Sequence, residues 1–525
     1  MRMKFKYAAV ALTAFTLTVS SCNDFLDEMP DNRTELDTPD KITKLLVSAY
    51  PTCSWNLLAE FSSDNADDNG SKYAIYDRLS SDIFEWIDTK ETGNDSPVVY
   101  WESCYSAVGT ANQALEAIDK LEAAGTSSSQ LAAQRGEALL CRAYGHFMLS
   151  YIFCQPWSES NKDKELGIPY STAPETTVNP HYDRETIGKT YERIAADIEA
   201  GLPLIDDNNY SVPKYHFNSK AAHAFAARFY LYYGQYDKAI EHADKVLGDN
   251  PATVLRDWEA LGQLSLNDDL QPDAFVDASS SANLLLFTAR SFWGLYNGPL
   301  TTTNRYTHNP TISKNETSES VGVWGDCSST LRQTAANYTS IPKVVFRKYP
   351  FYYQEITDPT TGTFYANIVQ AAFTTDETLL VRAEAYTMKK EYAKAIADMQ
   401  AWENSFTKSQ VKLTEQGIND FYGKIDYYTP LKPTVKKELH PDFAIEAGTQ
   451  ENMLHFILHA RRITTLHEGL RWGDIKRYGI TIYRRTVEKR DITVTDTMKP
   501  GDPRFALQLP NTVIGAGLQA NPRNN

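Results

Sequence analysis

The 525-residue sequence has few of the features that define metal-binding, nucleic-acid-binding or membrane-spanning proteins. It contains six cysteines and ten histidines, with no CxxC pair and no Cys/His cluster at zinc spacing. It has no basic cluster with interleaved aromatic residues, and its formal net charge is −15 at pH 7. That charge argues against nucleic acid or an anionic membrane surface as the main partner. No apolar run beyond residue 21 reaches the length of a membrane span.

The first 40 residues have the pattern of a targeting segment followed by a tether. Three positive side chains precede an apolar run over residues 7–19, which ends at Ser20-Ser21-Cys22. This arrangement resembles a bacterial lipoprotein signal, and we therefore predict a signal peptide over residues 1–21 and lipidation of Cys22. An ordinary secretory signal that happens to contain a cysteine is the alternative. Residues 22–40 are acidic and contain proline, which predicts an extended surface tether.

Five cysteines remain after Cys22, so at least one of them is unpaired. Their surroundings are apolar, and we interpret them as buried thiols. Disulfides between Cys53 and Cys104, or between Cys141 and Cys154, remain open alternatives.

Residues 219–251 carry the small, aromatic and proline positions of a tetratricopeptide repeat. In such a repeat, alanines let two antiparallel helices approach closely, and tyrosines fill the space around the turn. Four of these positions, Ala227, Tyr230, Tyr236 and Ala239, recur 156 residues later as Ala383, Tyr386, Tyr392 and Ala395. The sequence therefore predicts a helical-repeat scaffold with these four tyrosines in its core.

The chain divides into three regions after the tether. Residues 41–254 are predicted to be helical, with helices near 41–59, 98–123, 130–153 and 184–202. Residues 255–375 lose helical periodicity and are rich in Gly, Pro, Asn, Thr and aromatic residues, which favours a looped, ligand-binding region. Within it, residues 352–356 and 363–369 are predicted to form a hairpin. Residues 376–525 contain the second repeat and a helix near 449–470.

Several segments resemble the SusD/RagB family of outer-membrane nutrient-binding lipoproteins. They occur in the family's order and are Arg135–Trp157, residues 182–205, residues 219–247, Thr378–Tyr386, His459–Gly479 and Asp502–Pro522. Two positions depart from the family pattern. Gly473 stands where a bulky aromatic residue is usual, and Thr374-Thr375 replace an arginine.

The resemblance implies a mostly α-helical fold with about four tetratricopeptide-type helix pairs, long irregular loops and a few short β-hairpins. It implies a non-catalytic, lipid-anchored protein on the cell surface at the outer membrane. Such a protein captures oligosaccharides and acts as the lid of a SusC-like TonB-dependent transporter. A peptide-binding lid, or a scaffold that binds only a protein partner, is the alternative. No cofactor or metal is implied, and the identity of the ligand is left open.

Aromatic residues in loops are the candidates for ligand binding, because sugar rings stack on exposed aromatic faces while their hydroxyls bind polar side chains. The alternative for each is that it plugs its own loop. The candidates are Tyr73, Tyr76, Trp86, Trp293, Tyr296, Arg305, Tyr306 and Trp324.

Two further clusters of polar residues have structural and functional interpretations. The charges between Arg461 and Arg477 predict a structural network with Trp472 as its packing anchor, although Glu468 and Asp474 could form an acid/base pair. Asn65, Asp67 and Asn69 resemble the first half of a calcium loop, but Tyr76 stands where an EF-hand requires glutamate. A capped, solvated turn is favoured over another calcium geometry.

Overall fold

The computed structural model describes residues 35–177, 180–298, 304–338, 340–489 and 491–524. The predicted signal peptide, Cys22 and residues 22–34 of the tether lie outside these ranges. Thr38–Asn525 forms one compact unit that contains all three predicted regions, and the division at residues 254 and 375 stays a prediction. In the described ranges, no helix combines the length and the apolar character needed to cross a membrane.

The fold is mostly helical, as predicted. Its helices in chain order are α1 (Pro39–Leu46), α2 (Asn56–Ser62), α3 (Arg78–Phe84), α4 (Pro97–Ala123), α5 (Ser128–Phe153), α6 (Ile187–Gly201), α7 (Ser219–Tyr232), α8 (Tyr236–Leu247), α9 (Trp258–Gln263), α10 (Leu270–Phe275), α11 (Trp293–Asn297), α12 (Pro310–Glu316), α13 (Cys327–Thr330), α14 (Thr375–Met388), α15 (Tyr392–Phe406), α16 (Glu415–Tyr422), α17 (Thr449–Thr464), α18 (Arg471–Tyr478) and α19 (Asn511–Gly515). The long helices α4, α5 and α6 agree with the predicted ones to within about three residues.

The two predicted repeats form the helix pairs α7–α8 and α14–α15. Gly234 turns the chain between α7 and α8 with φ of +69°, a conformation that favours glycine. Helix α8 also packs against α14, so the two pairs stack although the whole loop-rich region separates them in the sequence. The helical-repeat prediction is confirmed.

The four repeat tyrosines are less uniformly buried than predicted. Tyr230 is fully buried, whereas Tyr236, Tyr386 and Tyr392 are only half-buried. Tyr236 and Tyr392 are the first residues of α8 and α15, and Tyr386 lies in the last turn of α14. Residues at the turn end of a helix pair keep one face towards solvent, which explains the difference.

Two predicted helices are interrupted. The helix predicted over residues 41–59 divides into α1 and α2, with Pro51 in the segment between them. The helix predicted over 449–470 ends at Thr464, and α18 starts only at Arg471. His467 and Gly469 between them adopt positive φ values of 74° and 76°, which an α-helix cannot contain.

The strands are β1 (Asp67–Asp68), β2 (Asn283–Arg290), β3 (Tyr306–Thr307), β4 (Val321–Gly322), β5 (Gly325–Asp326), β6 (Ala336–Tyr338), β7 (Lys343–Val345), β8 (Tyr353–Asp358), β9 (Thr363–Thr374), β10 (Ile482–Glu488) and β11 (Asp491–Met498). The predicted hairpin is confirmed as β8–β9, and it joins β2 in an antiparallel sheet of order β2-β9-β8. A second sheet of order β11-β10-β1-β3 brings the early loop against the C-terminal hairpin.

A buried ion network, which we call the central network, lies where these segments meet. Asp64 accepts two hydrogen bonds of 2.9 Å from Arg471, while Glu316 lies 2.7 Å from Lys437 and 2.8 Å from Arg462. Arg485 binds both Glu316, at 3.1 Å, and Asp67, at 2.8 Å. The cations hold the pKa of Asp64 well below its usual range and lower that of Glu316 to about 2, against the effect of burial.

The central network corrects the interpretation of residues 65–70 as a solvated turn. Asn65, Asp67 and Asn69 are all at most 3% exposed. Arg462 and Arg485 from the C-terminal part of the chain bind Asn65 and Asp67, and Asn69 donates to Thr307, so local sequence could not reveal the burial.

The charged block at Arg461–Arg477 forms a second buried network, as predicted. Glu384 binds Arg461 at 2.6 Å and Arg477 at 2.7 Å, and Asp474 binds Arg477 at 2.7 Å. Trp472 is completely buried beside them. The structural interpretation of this block is therefore confirmed.

Close packing explains why glycine occupies position 473. A Cβ atom at this position would lie 2.5 Å from the Tyr232 hydroxyl and 2.7 Å from the Tyr151 ring. The Gly473 N–H also donates a 2.9 Å hydrogen bond to the Tyr151 hydroxyl. These two tyrosines therefore occupy the space that a larger side chain would need.

The buried-thiol interpretation of the cysteines is also confirmed. The five cysteines in the described ranges, Cys53, Cys104, Cys141, Cys154 and Cys327, are free and buried. Neither of the two candidate disulfides is formed.

We expect Glu316→Ala to lower the free energy of unfolding by about 3–5 kcal/mol, because it leaves three buried cations without their shared carboxylate. Urea denaturation of the purified chain measures this change. Asp40→Ala is the control, since the Asp40–Lys44 pair is more than 70% exposed and exposed pairs contribute about 0–1 kcal/mol. Equal small effects of the two variants would contradict a structural role for the central network.

Candidate functional site

The structure brings four of the predicted ligand-binding residues together. Tyr76 meets Tyr296 edge-to-face with ring centroids 5.4 Å apart, and Arg305 lies over the Tyr306 ring at 5.4 Å. Both pairs line one small depression next to Phe61. Tyr73 is half-buried in the same loop as Tyr76, with Lys72 over its ring at 4.8 Å.

Only Tyr76 of these four presents a large face to solvent. It is 40% exposed, whereas Tyr296 and Tyr306 are 6% and 4% exposed. Tyr296 donates a 2.7 Å hydrogen bond to Asp77, and Tyr306 stacks on Phe84 at 4.3 Å. Arg305 is half-buried and held by Asp68 at 3.1 Å. Tyr296, Tyr306 and Arg305 therefore support the loop that carries Tyr76.

The burial of Trp293 and Trp324 corrects their placement on a ligand-binding surface. Trp293 is 2% exposed and donates its indole N–H to the carbonyl of His467 at 2.9 Å. Trp324 is 1% exposed at the tip of the β4–β5 hairpin and packs against Trp402 at 4.9 Å. Loss of helical periodicity marks irregular backbone, but irregular backbone can still deliver a side chain into the core.

Trp86 lies with the C-terminal part of the chain instead. Its ring has the guanidinium groups of Arg484 and Arg504 over it at 4.0 and 5.1 Å, and its indole N–H donates to Ser62. Because it is half-buried and engaged in this way, Trp86 fastens the early loop to the C-terminal segments.

The structure adds aromatic residues that the sequence interpretation passed over. Tyr352 meets Phe292 at 6.3 Å and stacks on Phe364 at 5.6 Å, while Arg290 covers the ring of Tyr365 at 3.7 Å. We call Tyr76, Phe292, Tyr352 and Phe364 the aromatic surface. Tyr365 follows Phe364 directly in β9 and therefore points to the opposite face of the sheet. Tyr352, Phe364 and Tyr365 belong to the predicted hairpin, whose alternating residues were interpreted only as strands.

Tyr76 and Tyr352 connect the two halves of the aromatic surface. Burial and the neighbouring Asp77 and Tyr352 raise the pKa of Tyr76. Tyr76 and Tyr365 are each 40% exposed, and Phe292, Tyr352 and Phe364 are half-buried between elements. Tyr76, Phe292 and the stacked pair of Tyr352 and Phe364 thus come together from three separate segments.

Buried polar groups fix helix α11 beneath this surface at both ends. The Asp95 carboxylate accepts hydrogen bonds from the Ser291 hydroxyl at 2.5 Å and the Phe292 N–H at 2.8 Å. The Lys343 ammonium donates to the carbonyls of Tyr296 and Gly298 at 2.9 and 3.2 Å. Burial raises the pKa of Asp95 and lowers the pKa of Lys343, each to about 7.

Carboxylates lie near these aromatic residues on both faces of the sheet. Asp77, beside Tyr76, accepts from Tyr296, whereas Asp273 accepts from Tyr353 and Glu355 from Asn367 at 3.0 Å on the face of Tyr365. Each carboxylate has further acceptor capacity for a ligand hydroxyl or amide. The surface therefore combines apolar ring faces with hydrogen-bond acceptors.

The residues of the suspected calcium loop are already engaged. Both Asp67 oxygens accept from Arg485, and the Asn65 side-chain oxygen accepts from Arg462. Across the described part of the chain, no group of three or more His, Cys, Asp or Glu residues is arranged to hold a metal. Guanidinium groups occupy the position that a cation would need at this loop.

A separate cleft of about 1070 Å³ lies between α4, residues 169–175 and 180–182, and the C-terminal segment. Its walls include Trp101, Tyr105 and Tyr182, and it shares no lining residue with the aromatic surface. Tyr182 is 36% exposed there. The cleft is a second candidate for ligand binding, and a binding experiment must distinguish it from the aromatic surface.

Part of the chain matches a known protein family. Residues 24–231 match the SusD-like family described as "Starch-binding associating with outer membrane". Over these residues the chain is similar to SusD-like proteins. The predicted resemblance is thereby confirmed, and the matched part of the chain includes the loop of Tyr73 and Tyr76.

Named relatives agree with this assignment. The SusD-like protein P2 of Formosa agariphila is 29% identical over 200 residues, which are 37% of this chain and 33% of the relative. The chain thus aligns with about a third of that relative's length. A SusD superfamily protein from Bacteroides thetaiotaomicron has a TM-score of 0.63 at 18% identity, covering 93% of this chain and 100% of the other. A putative sugar binding protein from Bacteroides vulgatus has a TM-score of 0.63 at 17% identity, covering 93% and 99%. The two solved structures show the shared fold.

We expect Asp95→Asn to weaken the pH dependence of stability. The folded chain binds the Asp95 proton more tightly than the unfolded chain, since the pKa rises from 3.8 to about 7. The free energy of unfolding of the wild type should therefore fall as the pH rises from about 4 to about 7. The free energy of unfolding of Asp95→Asn should fall less over the same range. It should still fall in part, because burial also raises the pKa of Glu60 to about 7.

Urea denaturation at about pH 5 and about pH 7.5 measures this difference. Asp249→Asn, at an exposed position, is the control and should keep the wild-type dependence. An unchanged dependence in Asp95→Asn would show that Asp95 is not the buried acid described above.

Proposed function

We propose that this SusD-like chain is a non-catalytic surface protein that captures oligosaccharides on the aromatic surface. The observation that carries the proposal is the proximity of Tyr76 to Tyr352, whose ring stacks on Phe364 and meets Phe292, with the Asp77 carboxylate beside Tyr76. The family description as starch-binding supports the same ligand class. Ring faces stack on the apolar C–H faces of sugars, and carboxylates accept hydrogen bonds from sugar hydroxyls.

The proposal includes delivery of the ligand to a SusC-like TonB-dependent transporter, with this chain as its lid. The family resemblance and the family's description as associated with the outer membrane support that role. Lipidation at Cys22 would place the chain at the cell surface. Its net charge of −15 remains consistent with a partner other than nucleic acid.

A non-catalytic role agrees with the state of the one acid pair singled out in the sequence. Glu468 is 8% exposed and bound to Lys348, and Asp474 is 1% exposed and bound to Arg477. Both carboxylates serve as partners of buried cations. They are therefore assigned to the scaffold.

A peptide ligand is the second candidate, and strand β8 favours it. Strand β8 lies at the edge of its sheet, and its residues Tyr353–Thr357 are exposed. An exposed edge can add an extended peptide by main-chain hydrogen bonds. A binding panel must therefore contain both oligosaccharides and oligopeptides.

We expect Tyr76→Ala to weaken oligosaccharide binding about two- to tenfold, because one aromatic contact contributes roughly 0.5–1.5 kcal/mol. Calorimetric titration with the best glycan from a panel measures the change. Tyr427→Ala is the matched control, since Tyr427 is 39% exposed and contacts Glu451, His455 and Lys436 rather than the aromatic surface. The control should bind like the wild type.

The Tyr182→Ala variant distinguishes ligand binding at the aromatic surface from ligand binding in the large cleft. Loss of binding in this variant, with Tyr76→Ala unaffected, would move the site to the cleft. Peptide binding with all glycans inert would favour the second candidate. Retention of the transporter partner without binding of either ligand class would leave only the scaffold role.

A further inference from the structure

Two histidines face each other on the first helix pair, away from the aromatic surface. His223 lies on α7 and His242 on α8, and their Nδ1 atoms are 3.1 Å apart. The ring centroids are 5.2 Å apart, and both side chains are half-buried. In the neutral pair, one Nδ1–H donates to the lone pair of the other Nδ1. Both nitrogens are therefore directed at the same point between the helices.

This separation is the one that two imidazoles adopt around a single metal ion. Zinc binds histidine nitrogen at about 2.0–2.1 Å. Two nitrogens 3.1 Å apart can both reach that distance at an N–metal–N angle of roughly 95–100°. The ion would replace the shared proton, which moves to the Nε2 atom of the former donor. Only a small adjustment of the rings is required.

The surrounding residues hold the pair in place. The His242 ring stacks on Tyr230 with centroids 5.5 Å apart, and the Tyr230 hydroxyl donates to Glu199 at 2.9 Å. This contact fixes the ring plane, as neighbouring groups do at known metal sites. The close packing of α7 against α8 fixes the two backbones.

The charges around the pair are balanced. The negatively charged neighbours of the two imidazoles are Glu199 on α6 and Glu241 on α8. The positively charged ones are Lys238 and Lys245 on α8. Across the described ranges no group of three or more protein ligands is arranged for a metal. The pair therefore offers two protein ligands, and water must complete the coordination.

We propose that His223 and His242 form a binding site for a divalent transition-metal ion such as Zn²⁺, with both Nδ1 atoms as ligands and water in the remaining positions. The site lies on the scaffold helices and is independent of the oligosaccharide proposal. Bound metal would crosslink α7 to α8 within the first repeat. The chain would then be more stable with the ion than without it.

Calorimetric titration of Zn²⁺ into the purified full chain at about pH 7.5, where imidazole is mostly neutral, tests the proposal. We expect one equivalent to bind and the melting temperature to rise. His223→Ala and His242→Ala should each weaken binding at least about tenfold. The controls are His181→Ala and His440→Ala, which remove exposed histidines that lie 3.4 and 3.5 Å from Asp183 and Glu438.

Electron paramagnetic resonance with Cu²⁺ in the unmodified chain provides a readout that does not depend on the variants' folding. Coupling to two equivalent imidazole nitrogens is expected in the wild type and in both control variants. Absence of Zn²⁺ binding, a single-nitrogen signal, or binding unchanged in both His223→Ala and His242→Ala would overturn the proposal. Loss of binding in His181→Ala or His440→Ala alone would assign the ion to the surface and overturn it as well.

Discussion

The attraction between Glu316 and the cations of the central network is the interaction on which the fold depends most. Glu316 is 1% exposed and lies within 3.1 Å of Lys437, Arg462 and Arg485. Moving such charges out of water costs several kcal/mol each unless their partners are in place. The early loop, the loop-rich region and the C-terminal segments must therefore come together for any of these charges to be buried.

The central network also fixes the position of the aromatic surface. Helix α2 leads directly into Asp64, and its Phe61 supports Tyr296 and Trp293 at 5.6 and 5.7 Å. Strands β1 and β3 pair next to the same charges and place Arg305 and Tyr306. The loop of Tyr76 is thus fastened at its base by buried ion pairs and along its length by ring contacts. A ligand meets faces that are already positioned, which lowers the entropic cost of binding.

Local and periodic features could be predicted from the sequence. The helices α4–α8, the second repeat and the β8–β9 hairpin follow from spacing, turns and alternation, which act over short stretches of chain. The charged block around Trp472 could be assigned to the scaffold because alternating charges at the end of a helix commonly pair. The family blocks extended this to the arrangement of the whole fold.

Burial in irregular segments could not be predicted in the same way. Trp324 and Trp293 have loop-like neighbours in the sequence, yet partners such as Trp402 and His467, distant in the chain, cover them. Asp67 resembles a calcium ligand until Arg485 is seen beside it. The aromatic residues of the hairpin were not predicted as ligand contacts. Their alternation predicts strands, but it does not show which strand side chains are exposed.

The stacking of α8 on α14 has a consequence for how this chain can change. The loop-rich region leaves the repeats after α8 and re-enters them at α14, and these two helices pack against each other. Its two ends are therefore close together, so a segment of different length can be exchanged between them without separating the helix pairs. Glu316 limits this freedom, because its carboxylate belongs to the central network. Lys348, bound to Glu468, and the buried Trp324 limit it further, so changes in length fit best in the exposed loops between these residues.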